Sequence, residues 1–264
     1  MAKFIQLVLT ITALGFCLAK AAPATQQFAF SPDRKHIATN SRGKVTINNA
    51  QGKQLSQFDP KDSAGPHTGI MELYFVDNNR LGIRLHMNPS LDYLSITDLK
   101  GKEIEHYLGY NFIWCNDRSA VAHVGQMIHF SEWPHSEYIQ INNRTVYPPS
   151  GPAYGKEATT VHTFIPPFCW SPDDSNLAVI DEVEGKDKGK YLVIIPTNLK
   201  VKGAGSSGKQ AQTRRFQILP QQAASIGSQC PDGIKLTWQG KTAVTISAAN
   251  GRQGKGLPCT ISIK

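Results

Sequence analysis

The fold is decided by the stretch from Phe28 to Ala38, which reads FAFSPDRKHIA. An aromatic residue closes one apolar run, Ser-Pro-Asp turns the chain, and a small apolar pair opens the next run. Proline presets φ at the second position of a turn, and an aspartate side chain accepts hydrogen bonds from nearby backbone N–H groups. The stretch therefore predicts a strand, a tight turn and a second strand.

The same pattern recurs along the chain. A second full copy, FCWSPDDSNLAV, covers residues 168–179, and looser copies begin at residues 75, 114 and 238. The aromatic residues that open the successive turns, which we call the anchors, are Phe30, Phe75, Trp114, Trp170 and Trp238. Each anchor is expected to bury its ring. The intervals from 30 to 75 and from 75 to 114 are close to the about 40–45 residues of a four-stranded propeller blade. The two later intervals are longer and predict inserted loops.

Polar and apolar residues alternate between the anchors. This period of two is clear in Lys44–Ile47, and it is typical of half-buried strands. The runs Glu103–Tyr107 and Tyr110–Trp114 are predicted as the last strand of the second unit and the first strand of the third. The sequence therefore predicts an all-β, β-propeller-like domain of about five blade-like antiparallel sheets. It leaves open whether the sheets close into a ring or form an irregular, partly open array.

An aromatic residue followed by Ser-Pro-Asp and a strand resembles the TolB-type and WD-like β-propeller repeat. The likeness covers most of the chain after residue 25, and the first and fourth copies carry Ser-Pro-Asp. The family has a glycine after the aspartate, where this chain has Arg34 and Asp174. The N-terminal domain that carries the partners of TolB has no counterpart in this sequence. The resemblance therefore implies the fold and not those partners.

Residues 1–21 are predicted to be a secretory signal peptide. Lys3 precedes an apolar run from Phe4 to Leu18, and Ala19-Lys20-Ala21 offers the small residues of a cleavage site. The run is too short to be a membrane span, and no later segment is long enough. We expect cleavage near Ala21, a single domain over residues 22–264, and a periplasmic or secreted protein.

The chain of 264 residues has a formal net charge of +8. Removal of Lys3 and Lys20 with the signal peptide would lower this to +6. Such a charge either keeps an exported protein soluble or attaches it to anionic surfaces, and the dispersed positions of the cations favour the first. We predict a monomer without a nucleic-acid partner.

Four cysteines remain after the signal peptide. An even number in an exported protein favours disulfides. Cys230 and Cys259 flank the last hairpin, and they are the predicted disulfide. Cys115 and Cys169 each lie beside an anchor, and the sequence leaves open whether they are free or bonded.

Polar and aromatic side chains are densest shortly after the third anchor. The candidate binding residues there are His129, Glu132, Trp133, His135 and Tyr138. Two histidines and a glutamate at this spacing could ligate a divalent metal if the loop curls. Because Pro134 interrupts the segment and no helix is predicted, we expect no metal. A loop that contacts a sugar or a peptide through Trp133 and Tyr138 is the alternative to a plain surface hairpin.

A basic, Gly/Ser-rich insertion is predicted from Lys200 to Arg215. Its segment GAGSSGK, residues 203–209, matches two phosphate-binding fingerprints. Gln210 stands where the phosphate loop needs Ser or Thr, and neither a strand before nor a helix after is predicted. We therefore predict a surface loop and no cofactor.

The sequence shows no catalytic constellation. No Gly-x-Ser-x-Gly elbow surrounds a serine, and Asp77, Asp117 and Asp173 are explained as turn residues. The sequence predicts an exported, non-catalytic binding or scaffold protein of the cell envelope or extracellular space, whose partner is an envelope protein or a glycan. The alternative is a propeller glycoside hydrolase, or another polysaccharide-active enzyme, with paired carboxylates at the central funnel.

Overall fold

The computed structural model describes residues 27–60, 69–88, 91–125, 136–149, 159–197, 212–220, 233–249 and 258–263. These ranges contain 18 strands. Of the described residues, none belongs to a helix long and apolar enough to cross a lipid bilayer. The predicted signal peptide lies outside these ranges.

The strands are β1 (Gln27–Phe30), β2 (His36–Ser41), β3 (Lys44–Asn49), β4 (Gln54–Phe58), β5 (Gly69–Phe75), β6 (Arg80–Asn88), β7 (Leu91–Asp98), β8 (Glu103–Trp114), β9 (Val121–Gly125), β10 (Tyr138–Ile141), β11 (Arg144–Tyr147), β12 (Thr160–Trp170), β13 (Asn176–Gly185), β14 (Gly189–Pro196), β15 (Arg214–Gln217), β16 (Ile234–Gln239), β17 (Ala243–Ala248) and β18 (Cys259–Ser262).

Each strand pairs antiparallel with its sequence neighbour inside a sheet. Blade 1 is β1–β4, blade 4 is β12–β15 and blade 5 is β16–β18. Blades 2 and 3 form one seven-stranded sheet from β5 to β11, in which β8 is the last strand of blade 2 and the first strand of blade 3. The predicted all-β, propeller-like class with about five blade-like sheets is confirmed.

Strand β8 serves two blades because it bends in the middle. Gly109 has φ +152° and Asn111 has φ +55°, and the pairing with β9 shifts register between Tyr110 and Ile113. A Cβ at Gly109 would collide with the carbonyl oxygen of Val124. Glycine is therefore needed where β9 lies against the bend.

Four apolar clusters lie between successive blades. For example, Ile47 of blade 1 packs with Phe75 of blade 2, and Ile194 of blade 4 packs with Trp238 of blade 5. The other two clusters join blade 2 to blade 3 and blade 3 to blade 4. In the part of the chain that the structure describes, no such cluster joins blade 5 to blade 1. Over these ranges the blades form an open array.

Phe30 corrects one prediction made from the sequence. Phe75, Trp170 and Trp238 are buried and Trp114 is half-buried, but Phe30 is 52% exposed. The buried anchors pack against the preceding blade, and no described blade precedes blade 1. The expectation that every anchor buries its ring is therefore wrong for the first one.

The end of the predicted Lys200–Arg215 insertion also differs. Arg214 and Arg215 begin β15, where they pair with Ile194 and Val193 of β14. The Arg215 guanidinium lies 4.1 Å from the centre of the Tyr191 ring, a cation–π contact that stabilises this edge strand. Residues 198–211, including GAGSSGK, lie outside the described ranges.

Candidate functional site

The turn aspartates have the structural role that the sequence predicts. Asp173 Oδ1 accepts hydrogen bonds from the hydroxyls of Ser171 at 2.8 Å and Ser175 at 2.7 Å. Lys241 Nζ lies 2.6 Å from Asp173 Oδ2, and this ammonium and the two hydroxyls hold the pKa of Asp173 well below its usual range. Carboxylates that make similar bonds inside their own turns are Asp33, Asp77 and Asp117.

In blades 3 and 4, the residue after the turn aspartate contacts the preceding blade. Arg34, Arg118 and Asp174 all have φ between +57° and +58°, the left-handed conformation that explains the glycine of the propeller repeat. Arg118 Nη1 donates to the carbonyls of Phe75 and Val76 in blade 2. We call residues at this position latch residues.

Asp174 is the latch residue of blade 4. Its Oδ1 accepts bonds from the backbone N–H of Asn116 at 2.8 Å and from Asn116 Nδ2 at 2.6 Å, and its Oδ2 accepts one from Asp117 N at 3.3 Å. The donor atoms of Cys115, Asp117 and Asp174 lie within 4.8 Å of one another, as in a metal site. However, the Cys115 thiol donates to Asp117, and both carboxylates already accept N–H bonds. The group is therefore best explained as a set of hydrogen bonds that joins the turns of blades 3 and 4.

The tryptophan anchors add a second link between blades. The Nε1 atoms of Trp114, Trp170 and Trp238 donate to the Tyr74 hydroxyl at 2.7 Å, the Ile113 carbonyl at 3.2 Å and the Cys169 carbonyl at 3.0 Å, respectively. In each case the acceptor belongs to the residue directly before the preceding anchor. The same contact is thus repeated at three blade junctions.

A cleft of about 430 Å³ lies between blades 2 and 3, and we call it the Trp114 cleft. It is lined by Glu72, Tyr74, Arg84, Phe112, Trp114, Cys115, Asn116 and Arg118. Alternation along β5 turns Tyr74 toward blade 3, because Phe75 packs against blade 1. Burial is the largest effect on Tyr74 and raises its pKa to about 12, so its hydroxyl stays protonated at neutral pH.

Charged groups stand at the wall of this cleft. Glu72 Oε2 lies 3.3 Å from Arg84 Nε, and Arg84 Nη1 lies 3.6 Å from Asp92 Oδ2. Asn116 and Arg118 are exposed in the turn that follows Trp114. The cleft therefore combines aromatic rings with planar carboxylate, guanidinium and amide groups.

A second cleft of about 400 Å³ also borders Trp114. Its polar atoms bond to one another or to adjacent backbone. The Tyr107 hydroxyl donates to Glu105 at 2.7 Å, and Asn143 Nδ2 donates to the His106 carbonyl at 2.9 Å. The Tyr107 hydroxyl and the Asn143 amide are therefore engaged in contacts within the protein.

A buried polar cluster joins blades 3 and 4. Asp181 Oδ2 contacts the Tyr147 hydroxyl and His162 Nδ1, each at 2.8 Å, and Asp181 is fully buried. Ser136 Oγ accepts a bond from the backbone N–H of His162 rather than from its ring. Because the serine does not bond the imidazole, the three residues lack the arrangement of a nucleophilic triad. Burial is the largest effect that raises the pKa of Tyr147.

Tyr138 is the one candidate binding residue from the sequence that the described ranges include. It begins β10 opposite Gly125, which leaves room for its ring, and burial raises the pKa of its hydroxyl. Tyr138 does not line the Trp114 cleft. The other candidates, His129, Glu132, Trp133 and His135, lie outside the described ranges. That candidate site stays a prediction.

Three of the four cysteines that follow the predicted signal peptide lie in the described ranges. Cys115, Cys169 and Cys259 are free thiols, and Cys230 lies outside the described residues. The predicted bond between Cys230 and Cys259 is therefore not seen. Burial is the largest effect on all three free thiols and raises the pKa of each.

No family model matches this chain, and no curated protein matches its sequence. Solved structures are similar to it at low identity. A eukaryotic initiation factor is 14% identical, with a TM-score of 0.45, over 87% of this chain and 50% of that one. The Dos1 propeller is 13% identical, with a TM-score of 0.40, over 84% of this chain and 51% of that one. BamB from Moraxella catarrhalis is 10% identical, with a TM-score of 0.27, over 85% of this chain and 69% of that one.

The chain spans about half the length of the first two of these structures. Its own sheets, rather than these distant likenesses, define the class as an all-β, propeller-like protein.

Proposed function

We propose that the chain is an exported, non-catalytic binding protein whose ligand occupies the Trp114 cleft. The observation that carries this proposal is the cleft itself. Its volume of about 430 Å³ falls in the range of small-ligand sites, roughly 300–1,000 Å³. Export is supported by the predicted signal peptide of residues 1–21, and N-terminal sequencing of the mature protein would check it.

A glycan fits the chemistry of this cleft. The faces of Phe112 and Trp114 offer apolar surface to the C–H groups of a sugar ring. Glu72 accepts hydrogen bonds from hydroxyls, while the guanidinium groups of Arg84 and Arg118 donate to sugar oxygens. A partner made of sugar units would use both sets of groups together.

The alternative, a glycoside hydrolase, needs two carboxyl groups about 5–10 Å apart at the reacting bond. Among the described residues that line the cleft, Glu72 is the one carboxylate, and it lies 3.3 Å from Arg84 Nε. Asp92 contacts the same arginine and His86 but does not line the cleft. This arrangement favours binding over hydrolysis.

The test is titration of the mature protein with soluble cell-envelope oligosaccharides, followed by tryptophan fluorescence and calorimetry. We expect saturable binding and an affinity about tenfold lower in Glu72→Gln, because a charge-assisted hydrogen bond contributes about 1.5–3 kcal/mol. The matched control is Glu184→Gln, whose carboxylate is exposed in blade 4. Cleavage of the oligosaccharide, or equal binding by both variants, would contradict the proposal.

A further inference from the structure

Blade 1 exposes the face that later blades bury. Phe28 and Phe30 are 63% and 52% exposed, and their rings meet edge to face with centroids 5.8 Å apart. The residues at these two positions of later blades are buried in three cases: Leu73 and Phe75, Phe168 and Trp170, Leu236 and Trp238. In those blades the pair packs against the preceding blade. The exposed pair is therefore a blade-packing surface on which none of the described blades lies.

Arg34 shows the same difference between blade 1 and a later blade. It has the left-handed φ of a latch residue, +57°, as Arg118 does. Arg118 bonds carbonyls of the preceding blade, whereas Arg34 is exposed. We call the surface formed by Phe28, Phe30, Arg34 and Ile37 the Phe30 face. Ile37 belongs to it because it pairs directly with Phe30.

Blade 1 has a net positive charge, and Arg34 is the cation that lies on the Phe30 face itself. Between Gln27 and Phe58 the chain has five cations and one carboxylate, that of Asp33. Asp33 is already used by the hydroxyl of Ser31 and the backbone of Lys35. A partner that faces these cations gains by carrying negative charge.

A second copy of this chain does not fit. Trp238 turns toward blade 4, so alternation puts Lys235 and Thr237 on the free face of blade 5. That free face is polar, with Thr245 and Thr260 bonded to each other at 2.9 Å. If this free face packed on the Phe30 face of a second copy, Lys235 would approach Arg34. The described residues of the free face would also offer no large apolar side chain to Phe30. Two Phe30 faces in contact would also set cations against cations.

We propose that the Phe30 face docks an acidic β-sheet face of another protein, which takes the place of a preceding blade. Phe28 and Phe30 would pack on its apolar residues, and Arg34 would bond its carbonyl or carboxylate oxygens. This surface is distinct from the Trp114 cleft, so the two sites can be tested separately.

The partner can be identified by replacing Phe30 with benzoyl-phenylalanine, a photo-crosslinking analogue, in the cells that make the protein. The same analogue at Ile104, which is 50% exposed in blade 2, is the control. We expect a protein adduct from position 30 that position 104 does not give. An adduct with lipid or with a second copy, or no adduct at all, would overturn the proposal.

Purified partner and mature protein then test the contacts by calorimetry. We expect Phe30→Ser and Arg34→Gln each to weaken binding at least about tenfold, with affinity that falls as salt rises. Ile104→Ser and the cleft variant Glu72→Gln should bind the partner as the unchanged protein does. Because Phe30 and Arg34 are exposed, near-ultraviolet circular dichroism should be unchanged in both variants. Undiminished binding by the Phe30 and Arg34 variants would overturn the proposal even if an adduct had formed.

Discussion

At the scale of single residues, His123 is the most unusual titratable group. It is fully buried in β9, between the rings of Tyr107 and Phe112, whose centroids lie 5.8 and 5.3 Å from its own. Neither ring nitrogen has a hydrogen-bond partner. Burial is the largest effect on His123 and lowers its pKa to about 4. The folded protein therefore keeps this imidazole neutral.

The stability of the protein should depend on pH through His123. The unfolded chain binds a proton at His123 below about pH 6.5, whereas the folded chain does so only below about pH 4. The free energy of unfolding should therefore fall by about 3 kcal/mol as pH drops from 6.5 to 4. Urea denaturation over this range measures the change. His123→Leu should remove most of the slope, and an unaltered slope in that variant would assign the effect to other groups.

At the scale of elements, β8 depends on Gly109. Gly109→Ala would add strain at positive φ, about 1–2 kcal/mol, and a collision with the Val124 carbonyl that costs a further 1–3 kcal/mol or so. We expect the free energy of unfolding to fall by about 3 kcal/mol, measured by urea denaturation.

Gly52→Ala is the matched control for this substitution. Gly52 also has a positive φ, +80°, but no atom lies within 4 Å of an added Cβ. This control should lose only about 1 kcal/mol. Equal losses in the two variants would mean that β9 can move away from the bend.

Local sequence predicted the strands better than their connections. The runs Glu103–Tyr107 and Tyr110–Trp114 were identified as strands, but alternation cannot show that one backbone passes through both. That continuity depends on the bend at Gly109. The close approach of β9 requires this bend, and the backbone preferences of the local sequence do not reveal it. Strand β15 was missed for a similar reason, because Arg214 and Arg215 resemble a basic loop until β14 supplies the hydrogen bonds.

At the scale of the whole molecule, blade 5 lies at one end of the array of sheets that the described residues form. Among the described residues, one apolar cluster joins it to blade 4, and Trp238 belongs to that cluster. Trp238→Ala should cost that junction about 3–5 kcal/mol. Hydrogen exchange should then show lost protection in β16–β18 while the amides of β5–β9 stay protected.

Trp238→Phe is the control for this prediction. It keeps an aromatic ring at the junction but removes part of the indole volume and the N–H bond to the Cys169 carbonyl, so the loss should be smaller, about 2 kcal/mol. If Trp238→Ala instead exposed the amides of all five blades equally, the array would unfold as one cooperative unit.

The candidate site was harder to predict than the fold. The anchors and turn aspartates follow from short repeated words in the sequence. The Trp114 cleft depends on side chains from β5, β6 and β8 that meet only when blades 2 and 3 pack together. One sequence signal for this cleft was available. The indole N–H of a half-buried tryptophan needs a hydrogen-bond acceptor, and Tyr74, directly before the anchor Phe75, carries a hydroxyl that supplies one. The contacts of the latch residues Arg118 and Asp174 with the preceding blade could not be predicted from the local sequence. The one local sign was that neither position has the glycine of the propeller repeat.

The single strand shared by blades 2 and 3 also affects how the molecule would respond to mechanical load. Tension between the chain ends would cross the other blade junctions through side-chain packing and connecting segments. At β8 it would run along an unbroken covalent backbone with hydrogen-bonded neighbours on both sides. Under a stretching force, the junctions of blade 1 with blade 2, of blade 3 with blade 4 and of blade 4 with blade 5 should therefore yield first, leaving the seven-stranded sheet as the last piece to extend.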